Sequence, residues 1–412
     1  LHDWGLSWPW LTLGNVFAAH ISWVQWYSFT GVSGGSCWIL ILNIAIFRLL
    51  YKNSFRRLPT ASLTRTLAIF LAPVLLSPLF VPTIEKSLIT TTGTPAPNVA
   101  IIQPNIDPYE KVSDDAGSFD GMLGKLIRLS DSAIDSSTTL VVWPETAVFM
   151  DNGINEDNMK ANFFLTPLWD FLRRHPRINL LTGVESYRVY RAGSQSSTSR
   201  PVPNTPLYKD DYNAAVLLDS SGPLQFYHKT MLVPGVETLP FFLHFLDPLF
   251  EKFGGTTAGY TGQPDRTPLT TSNHSFTIAP AVCYESIYGE FMSKYIHNGA
   301  DLIAVITNDG WWGNTPGYRQ HESYARLRAI ETHHWVVRSA NTGVSCVIDP
   351  AGDIIQSRPW DEASFIKAYV PPTHEETFYV KYIDVISWLA VLASITLAIG
   401  VPVLIAKNKR RG

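Results

Sequence analysis

The chain has 412 residues, of which 46% are hydrophobic and 16% are charged, and its formal net charge is −3. This near-neutral charge argues against a nucleic-acid partner. Length alone allows two or three domains, so the distribution of apolar residues has to decide the organisation.

The first 90 residues have the composition of membrane-spanning segments. No Asp, Glu, Lys or Arg occurs from Trp4 to Phe47, and six of the 13 Trp residues fall in this stretch. Tryptophan is enriched where a membrane meets water. Apolar runs at about 34–50 and 66–84 predict two spanning helices, so residues 1–90 are interpreted as a partial transmembrane region.

A third span is predicted at 384–406, which contains 22 consecutive uncharged residues and is followed by a basic tail at 407–412. Between the apolar cores of the first two spans lie five basic residues and no acidic one: Arg48, Lys52, Arg56, Arg57 and Arg65. Short basic segments beside spans stay on the cytoplasmic side, which places the block 91–383 outside the cytoplasm. Because the chain begins at Leu1 rather than at a methionine, further spans are expected upstream.

The block 91–383 alternates short apolar strands with helices, after a linker predicted at 91–97. Strands are predicted at 99–103, 139–143, 179–183, 213–218, 276–282, 301–307 and 343–348, and helices at 122–133, 167–174 and 321–334. Continuous apolar strands are typical of strands buried on both faces, so an α/β layered sandwich is expected. Loops are predicted at 191–206 and 254–273, and the apolar stretch 239–250 between them is either buried or a lid that contacts lipid.

Cys283 ends one of the predicted strands and is a candidate nucleophile. A thiol attacks acyl carbonyls as its thiolate, so it needs a nearby base or cation. The alternative is a Cys283–Cys346 disulfide, because the chain has only three cysteines and the third, Cys37, lies in a predicted span. A block of nearly 300 residues can bury its own core without a disulfide, which favours the free thiol.

Two charged residues could activate that thiol. Glu145 follows another strand, directly after Trp143 and Pro144, and strand ends of α/β sheets are where reactive groups gather. Burial beside Trp143 would favour its use as a base. Lys229 could stabilise an oxyanion, and Glu237 could orient Lys229 or relay protons. Each of these residues, taken alone, could equally be an ordinary surface charge.

A third strand end carries Asn308 and Trp311 in a turn-rich segment, where both could wall a pocket. His333 and His334 are adjacent and lack the spacing of metal ligands on one helix face, so no zinc site is predicted. No glycine-rich phosphate loop is present either. No metal or cofactor is therefore expected.

Five motifs in chain order resemble those of the nitrilase superfamily. They are Trp143-Pro-Glu145, Lys229 with Val233-Pro-Gly235, Cys283-Tyr-Glu285, Asn308-Asp-Gly-Trp311 and Asn341-Thr-Gly343. With spans on both sides, the chain resembles the membrane-bound branch of that superfamily over about residues 8–410. The resemblance implies an αββα sandwich tethered to transmembrane helices at both ends.

The resemblance also implies a reaction at the outer leaflet of a bacterial inner membrane. Glu145 would be the general base, Lys229 the oxyanion-stabilising cation and Cys283 the nucleophile. Supporting residues would be Glu237, Tyr284 and Glu285. A fatty acyl chain would pass from a phospholipid to Cys283, as a thioester, and then to the N-terminal amine of the diacylglyceryl-cysteine of an apolipoprotein.

Two other functions are compatible with parts of the pattern. One is an amidase of the same superfamily acting on small molecules, which the predicted spans disfavour because such enzymes are soluble as a rule. The other is a membrane-anchored binding protein without catalysis. The presence of Glu145, Lys229 and Cys283 together disfavours that second alternative.

Overall fold

In a computed structural model, the described residues are 7–52, 59–83, 96, 98–107, 119–150, 152–195, 198–220, 222–238 and 259–409. The predicted lid at 239–250 lies outside them, as do nearly all of the linker at 91–97 and the end of the basic tail.

Strands and helices alternate through the predicted block. The strands are β1 (Val99–Gln103), β2 (Leu140–Val142), β3 (Ile154–Asn155), β4 (Asn179–Arg191), β5 (Arg200–Pro201), β6 (Leu207–Leu218), β7 (Gln225–His228), β8 (Leu269–Thr270), β9 (Thr277–Val282), β10 (Leu302–Thr307), β11 (Val336–Ala340), β12 (Cys346–Ile348), β13 (Ile354–Ser357) and β14 (Ser364–Ala368). The helices are α1 (Tyr27–Lys52), α2 (Thr60–Leu76), α3 (Phe119–Ala133), α4 (Thr166–Arg174), α5 (Gly289–His297), α6 (Pro316–Thr332) and α7 (Phe378–Lys409).

The strands form two mixed sheets. The first has the order β14-β1-β2-β4-β6-β5, with β3 on β4 and β7 on β6, and the second has the order β13-β12-β11-β10-β9-β8. In the first sheet β1, β2 and β4 are parallel, and in the second β9, β10 and β11 are parallel. The carboxyl ends of parallel strands share an edge, so residues that follow β2, β9 and β10 are placed where reactive groups can meet.

Side chains from one strand reach two different cores. In β1, Val99 and Ile101 belong to the inner core shared with the second sheet, whereas Ala100 and Ile102 belong to an outer core built with α3 and α4. Helices α5 and α6 cover the other face of the second sheet, and their apolar residues join the inner-core cluster. Because both faces of each sheet are buried, the layers are helix, sheet, sheet, helix, which confirms the predicted αββα sandwich.

Among the residues that the structure describes, two helices are long and apolar enough to cross a bilayer, Tyr27–Tyr51 and Thr60–Phe80, and α7 contains a shorter apolar stretch, Trp388–Leu404. Helix α1 begins earlier than the predicted span at 34–50 and is interrupted at Gly31, where φ is 61°. A Cβ at Gly31 would lie 2.4 Å from the ring of Tyr379, so the break lets α1 and α7 approach closely.

Several strands differ from their predicted extents. Strands β4 and β6 continue beyond the predicted 179–183 and 213–218 as a long antiparallel ribbon, and β5 lies in the predicted loop 191–206. Strand β11 lies at the centre of the second sheet but was not predicted, because the charged residue Arg338 interrupts its apolar pattern. That guanidinium is fully buried and paired, so the strand tolerates it.

Candidate active site

Cys283 is the first residue of a tight turn, Cys283–Ile287, that follows β9 directly. Its φ is 54°, in the left-handed region that non-glycine residues rarely occupy. The carbonyl oxygen of Cys283 lies 2.9 Å from Ser286 Oγ, which donates to it, and 3.0 Å from His321 Nε2. These two contacts to the carbonyl oxygen stabilise the strained backbone of the turn.

The environment of the Cys283 thiol keeps it protonated at rest. Burial raises the pKa of the thiol above its usual range, and the nearby carboxylate of Glu145 raises it further. The charge of Lys229 and a hydrogen bond from Thr307 act in the opposite direction but do not outweigh burial. A thiol in this environment would need a base to take its proton before the sulfur could attack a carbonyl.

Glu145 is the candidate for that base, because its carboxylate is close enough to the thiol to raise the pKa of Cys283. It follows β2 and is 6% exposed. Its Oε1 accepts a hydrogen bond of 2.9 Å from Asn213 Nδ2, and its Oε2 accepts one of 3.1 Å from the backbone N–H of Asn308. Lys229 Nζ lies 3.6 Å from Oε1. These contacts fix both carboxylate oxygens at the edge shared by the two sheets.

Lys229 is 1% exposed and stands between two carboxylates. Its Nζ donates to Glu237 Oε1 at 2.8 Å, and Asn213 Nδ2 donates to the same oxygen at 3.0 Å. Burial alone would lower the pKa of Lys229, but Glu237 and Glu145 outweigh it and hold that pKa above its ordinary value. The two carboxylates therefore favour the charged form of Lys229, and the hydrogen bond to Glu237 fixes the position of its Nζ.

Glu285 ties the segment after Lys229 to the turn of Cys283. The carboxylate is fully buried. Its four donors are the N–H groups of Val282 (2.8 Å), Thr230 (2.8 Å) and Met231 (3.1 Å) and the hydroxyl of Tyr227 (2.5 Å). Burial raises the pKa of Glu285 to about 7, against the effect of these hydrogen bonds. One side chain thus fixes the spacing of the two segments.

Tyr284 and Asn308 also lie at the edge shared by the two sheets. The hydroxyl of Tyr284 donates to the carbonyl oxygen of Ser7 at 3.0 Å, and its ring centroid lies 5.6 Å from that of Trp8. Asn308 contacts Glu145 through its backbone, while its side-chain oxygen accepts from Asn341 Nδ2 at 3.2 Å. The stretch before α1 therefore packs on the Cys283 turn.

Trp143 does not lie beside the Glu145 carboxylate as expected. Its side chain belongs to the outer core, where Nε1 donates to Ser130 Oγ at 2.8 Å and the ring stacks with Phe171. It anchors the end of β2 to α3 and α4 instead. Trp311 is 52% exposed, so it presents its ring at the surface of the segment that follows β10.

Sequence reasoning missed Asn213, whose Nδ2 donates to both Glu145 and Glu237. Asn213 opens an apolar run in β6, and a lone amide at the head of such a run is the only sequence signal it gives.

Sequence reasoning also missed a buried chain of polar residues behind Cys283. His321 Nδ1 lies 3.0 Å from Asp309 Oδ1, and Arg338 Nη2 donates to Asp309 Oδ2 at 2.7 Å. Burial alone would raise the pKa of Asp309, but Arg338 and His321 outweigh it and hold that pKa below its ordinary value. Since His321 also contacts the Cys283 carbonyl, these three residues, from α6, the segment after β10 and β11, connect the Cys283 turn to the second sheet.

Gly183 in β4 allows the turn that carries Glu145 to approach. A Cβ at this position would lie 2.5 Å from the backbone nitrogen of Thr146 and 2.6 Å from Glu145 Cα. The N–H of Gly183 also donates to the carbonyl of Pro144 at 3.1 Å. Backbone atoms cannot yield as a flexible side chain would, so any larger residue must push the Glu145 turn away.

Gly183→Ala is expected to destabilise the protein by about 1–3 kcal/mol through overpacking and to slow alkylation of Cys283 at neutral pH by displacing Glu145. Denaturant unfolding and the rate of iodoacetamide labelling measure the two effects. Gly124→Ala in α3 is the matched control, because its nearest neighbour is the mobile end of Arg128. If Gly183→Ala is labelled at the wild-type rate, the approach of the Glu145 turn to Gly183 does not control the reactivity of Cys283.

Cys37, Cys283 and Cys346 are free thiols in this structure, which agrees with the free thiol favoured for Cys283 and not with the Cys283–Cys346 disulfide that was its alternative. Cys346 is fully buried in β12. Within the described ranges, no group of three or more His, Cys, Asp or Glu side chains is arranged to hold a metal ion.

The sequence matches known proteins along most of its length. The family model described as carbon-nitrogen hydrolase matches residues 98–377. An apolipoprotein N-acyltransferase from Chlorobaculum tepidum is 30% identical over 392 residues, which cover 92% of this chain and 69% of the relative. Another, from Agrobacterium fabrum, is 32% identical over 299 residues, which cover 70% of this chain and 51% of the relative.

Among solved structures, Saccharomyces cerevisiae Nit3, a member of branch 10 of the nitrilase superfamily, is 17% identical with a TM-score of 0.46. The match covers 70% of this chain and 93% of that structure.

Proposed function

This chain belongs to the carbon-nitrogen hydrolase family and, within it, to the apolipoprotein N-acyltransferases, and from this premise we propose that Cys283 carries a fatty acyl group between two lipid substrates. The donor is a phospholipid and the acceptor is the N-terminal amine of the diacylglyceryl-cysteine of an apolipoprotein. The single observation that carries the proposal is the buried cluster of Glu145, Lys229 and Glu237 beside the strained turn of Cys283.

In the first half-reaction, Glu145 takes the thiol proton as the sulfur attacks the carbonyl carbon of the phospholipid ester. The oxyanion of the tetrahedral intermediate is stabilised by the Lys229 cation. The ester C–O bond then breaks, and Glu145 returns the proton to the departing alkoxide. A lysophospholipid leaves and a thioester remains on Cys283.

In the second half-reaction, the amine of the apolipoprotein attacks the thioester carbonyl. Glu145 takes a proton from the amine, Lys229 again stabilises the oxyanion, and the C–S bond breaks. The proton held by Glu145 returns to sulfur, so the free thiol is restored and an amide has formed. The same three residues therefore serve both halves of a ping-pong reaction.

The arrangement of helices supports a location beside a bacterial inner membrane. We assign Tyr27–Tyr51 and Thr60–Phe80 as spans, and the apolar part of α7 as a third. Basic residues lie between the first two spans and after the third, and because such segments stay in the cytoplasm we propose that the block 91–383 lies on the periplasmic side. Both lipid substrates would then reach Cys283 from the outer leaflet, which explains why helices flank the block at both ends.

Intact-protein mass spectrometry tests the proposal. After incubation with phospholipid, the protein should gain the mass of one acyl chain, and hydroxylamine should remove it. Transfer of that chain to a diacylated lipopeptide separates an acyltransferase from an amidase, which would release free fatty acid or act on small amides. The proposal fails if the wild type gains no adduct or if Cys283→Ser gains the same hydroxylamine-sensitive one.

A further inference from the structure

A polar cavity of about 90 Å³ lies where the two ends of the chain meet the αββα sandwich. Its walls come from the stretch before α1, from α1, from the start of α5, from the last turns of α6 and from the start of α7. The residues used below are Thr12, Ser33, Gly289, Glu290, Arg328 and Glu331. Cys283 lies outside this wall, and the proposed chemistry does not use the cavity.

Arg328 in the cavity wall has an unsatisfied donor. The side chain is 1% exposed, its Nε donates to Glu331 Oε2 at 2.7 Å, and its Nη1 donates to the carbonyl of Ile287 at 2.6 Å. Its Nη2 has no hydrogen-bond partner among the described residues. A buried guanidinium N–H without an acceptor costs free energy, so an acceptor is expected there when the protein is at work.

The N-terminus of α5 opens onto the same cavity. The helix has nine residues, and within the described chain no side chain caps its first turn. Gly289 and Glu290, which begin it, both line the cavity. The free N–H groups and the positive end of a helix dipole attract anions. Together with Arg328 Nη2, they offer donors from two directions, and the hydroxyls of Thr12 and Ser33 add others.

Two carboxylates also line the cavity, but both are already engaged. Glu331 accepts from Arg328 Nε with one oxygen and from the backbone N–H of Val32, at 2.9 Å, with the other. Glu290 pairs with Lys294 at 3.3 Å. Their charges are therefore paired with Arg328 and Lys294, and the buried side-chain donor of this wall that has no partner among the described residues is Arg328 Nη2, which lies beside Gly289 at the start of α5.

We propose that this cavity binds a phosphate group, supplied by the headgroup of a membrane glycerophospholipid. The source follows from position, because Val32 and Ser33 lie near the start of α1 and Ile383 near the start of α7. The first turns of α1 and α7 are the ends of these apolar helices that adjoin the sandwich. If the helices span the bilayer, lipid headgroups lie at the level of these first turns. The lipid as source rests on the proposed function, whereas phosphate binding itself does not.

The test measures binding apart from chemistry, in the full-length Cys283→Ala protein in detergent. Phosphatidylglycerol should raise the midpoint of thermal unfolding in a concentration-dependent way, because a ligand that binds the native state stabilises it. Diacylglycerol, which lacks the phosphate, and inorganic phosphate at equal concentration should not. Ser33→Leu, which fills the cavity from an exposed position, should weaken the apparent affinity by about tenfold.

Cys37→Leu, one helical turn further along α1 and outside the cavity, is the matched control and should bind as the parent does. Arg328→Lys keeps the charge but loses the second N–H fork and should also bind weakly. Equal stabilisation by diacylglycerol, or unchanged affinity in Ser33→Leu, would overturn the site. Stabilisation by inorganic phosphate without any gain from the lipid would overturn the lipid source.

Thioester formation by the protein with intact Cys283 is followed in parallel. If thioester forms normally but Ser33→Leu binds phosphatidylglycerol as tightly as the parent, the cavity inference fails while the proposed function stands. If no thioester forms but Ser33→Leu loses binding, the proposed function fails while the cavity inference stands.

Discussion

Lys229→Met should reduce the rate of thioester formation on Cys283 by about 10²- to 10³-fold, the usual effect of removing one oxyanion-stabilising group. The same change removes the only cation within reach of both Glu145 and Glu237 among the described residues. The buried carboxylates of Glu145 and Glu237 would still share the Asn213 amide as a donor, but no positive charge would balance their two negative charges. We therefore expect a loss of about 3–5 kcal/mol in the free energy of unfolding.

Single-turnover acylation followed by intact-mass measurement gives the rate, and denaturant unfolding gives the stability. Lys209→Met is the matched control, because Lys209 pairs with Asp211 at 2.6 Å in a partly exposed position of β6. Such a pair contributes about 0–1 kcal/mol, so that variant should acylate at the parental rate. If Lys229→Met also acylates at that rate, Lys229 does not stabilise the oxyanion.

Glu145→Gln should slow acylation by about 10²- to 10⁴-fold, because a near-isosteric amide cannot accept the thiol proton. The change also alters the hydrogen bonds that hold the side chain. Both oxygens of Glu145 now face donors, Asn213 Nδ2 and the N–H of Asn308. In the variant, the amide nitrogen of Gln would point at one of these two donors and leave it without an acceptor. We therefore also expect a loss of about 1–3 kcal/mol in the free energy of unfolding.

The pH dependence of the Glu145→Gln protein separates lost catalysis from lost structure. Burial holds the pKa of Cys283 above its usual range, so the thiolate fraction keeps rising as pH rises through the accessible range. The residual acylation rate should therefore increase by about tenfold per pH unit, without a plateau below about pH 9. Iodoacetamide labelling of the same variant reports the thiol directly and should rise in parallel. A rate independent of pH would show that Glu145 does not serve as the base.

Glu145, Lys229 and Cys283 could be singled out because each carries a short motif, and Glu145 and Cys283 each end or follow a predicted strand, whereas β7 before Lys229 was not predicted. Their partners could not, because these come from distant parts of the chain. Asn213 gives no motif, and Glu285 reaches Thr230 across 55 positions. Hydrogen bonds over such separations depend on how the two sheets are aligned, which one sequence does not specify.

The position of the Trp143 side chain, which was expected beside the Glu145 carboxylate, could have been predicted from the alternation of side chains along a strand. Side chains alternate along a strand, so Val141 and Trp143 share a face, and both belong to the outer core. Pro144 then breaks the strand, which frees Glu145 from the alternation. Strand β11 was missed for the opposite reason, because a buried ion pair hides the apolar pattern that a strand prediction needs.

The stretch that leads into α1 makes the catalytic block inseparable from the rest of the chain. In this stretch Ser7 supplies the acceptor for the hydroxyl of Tyr284 and the ring of Trp10 packs against Trp312, and in the first part of α1 the N–H of Val32 donates to the buried Glu331. A protein cut to residues 91–383 would expose the back of the Cys283 turn and leave these polar groups unpaired. The boundary visible in the sequence therefore separates regions of different hydropathy, while side-chain and backbone contacts continue across it.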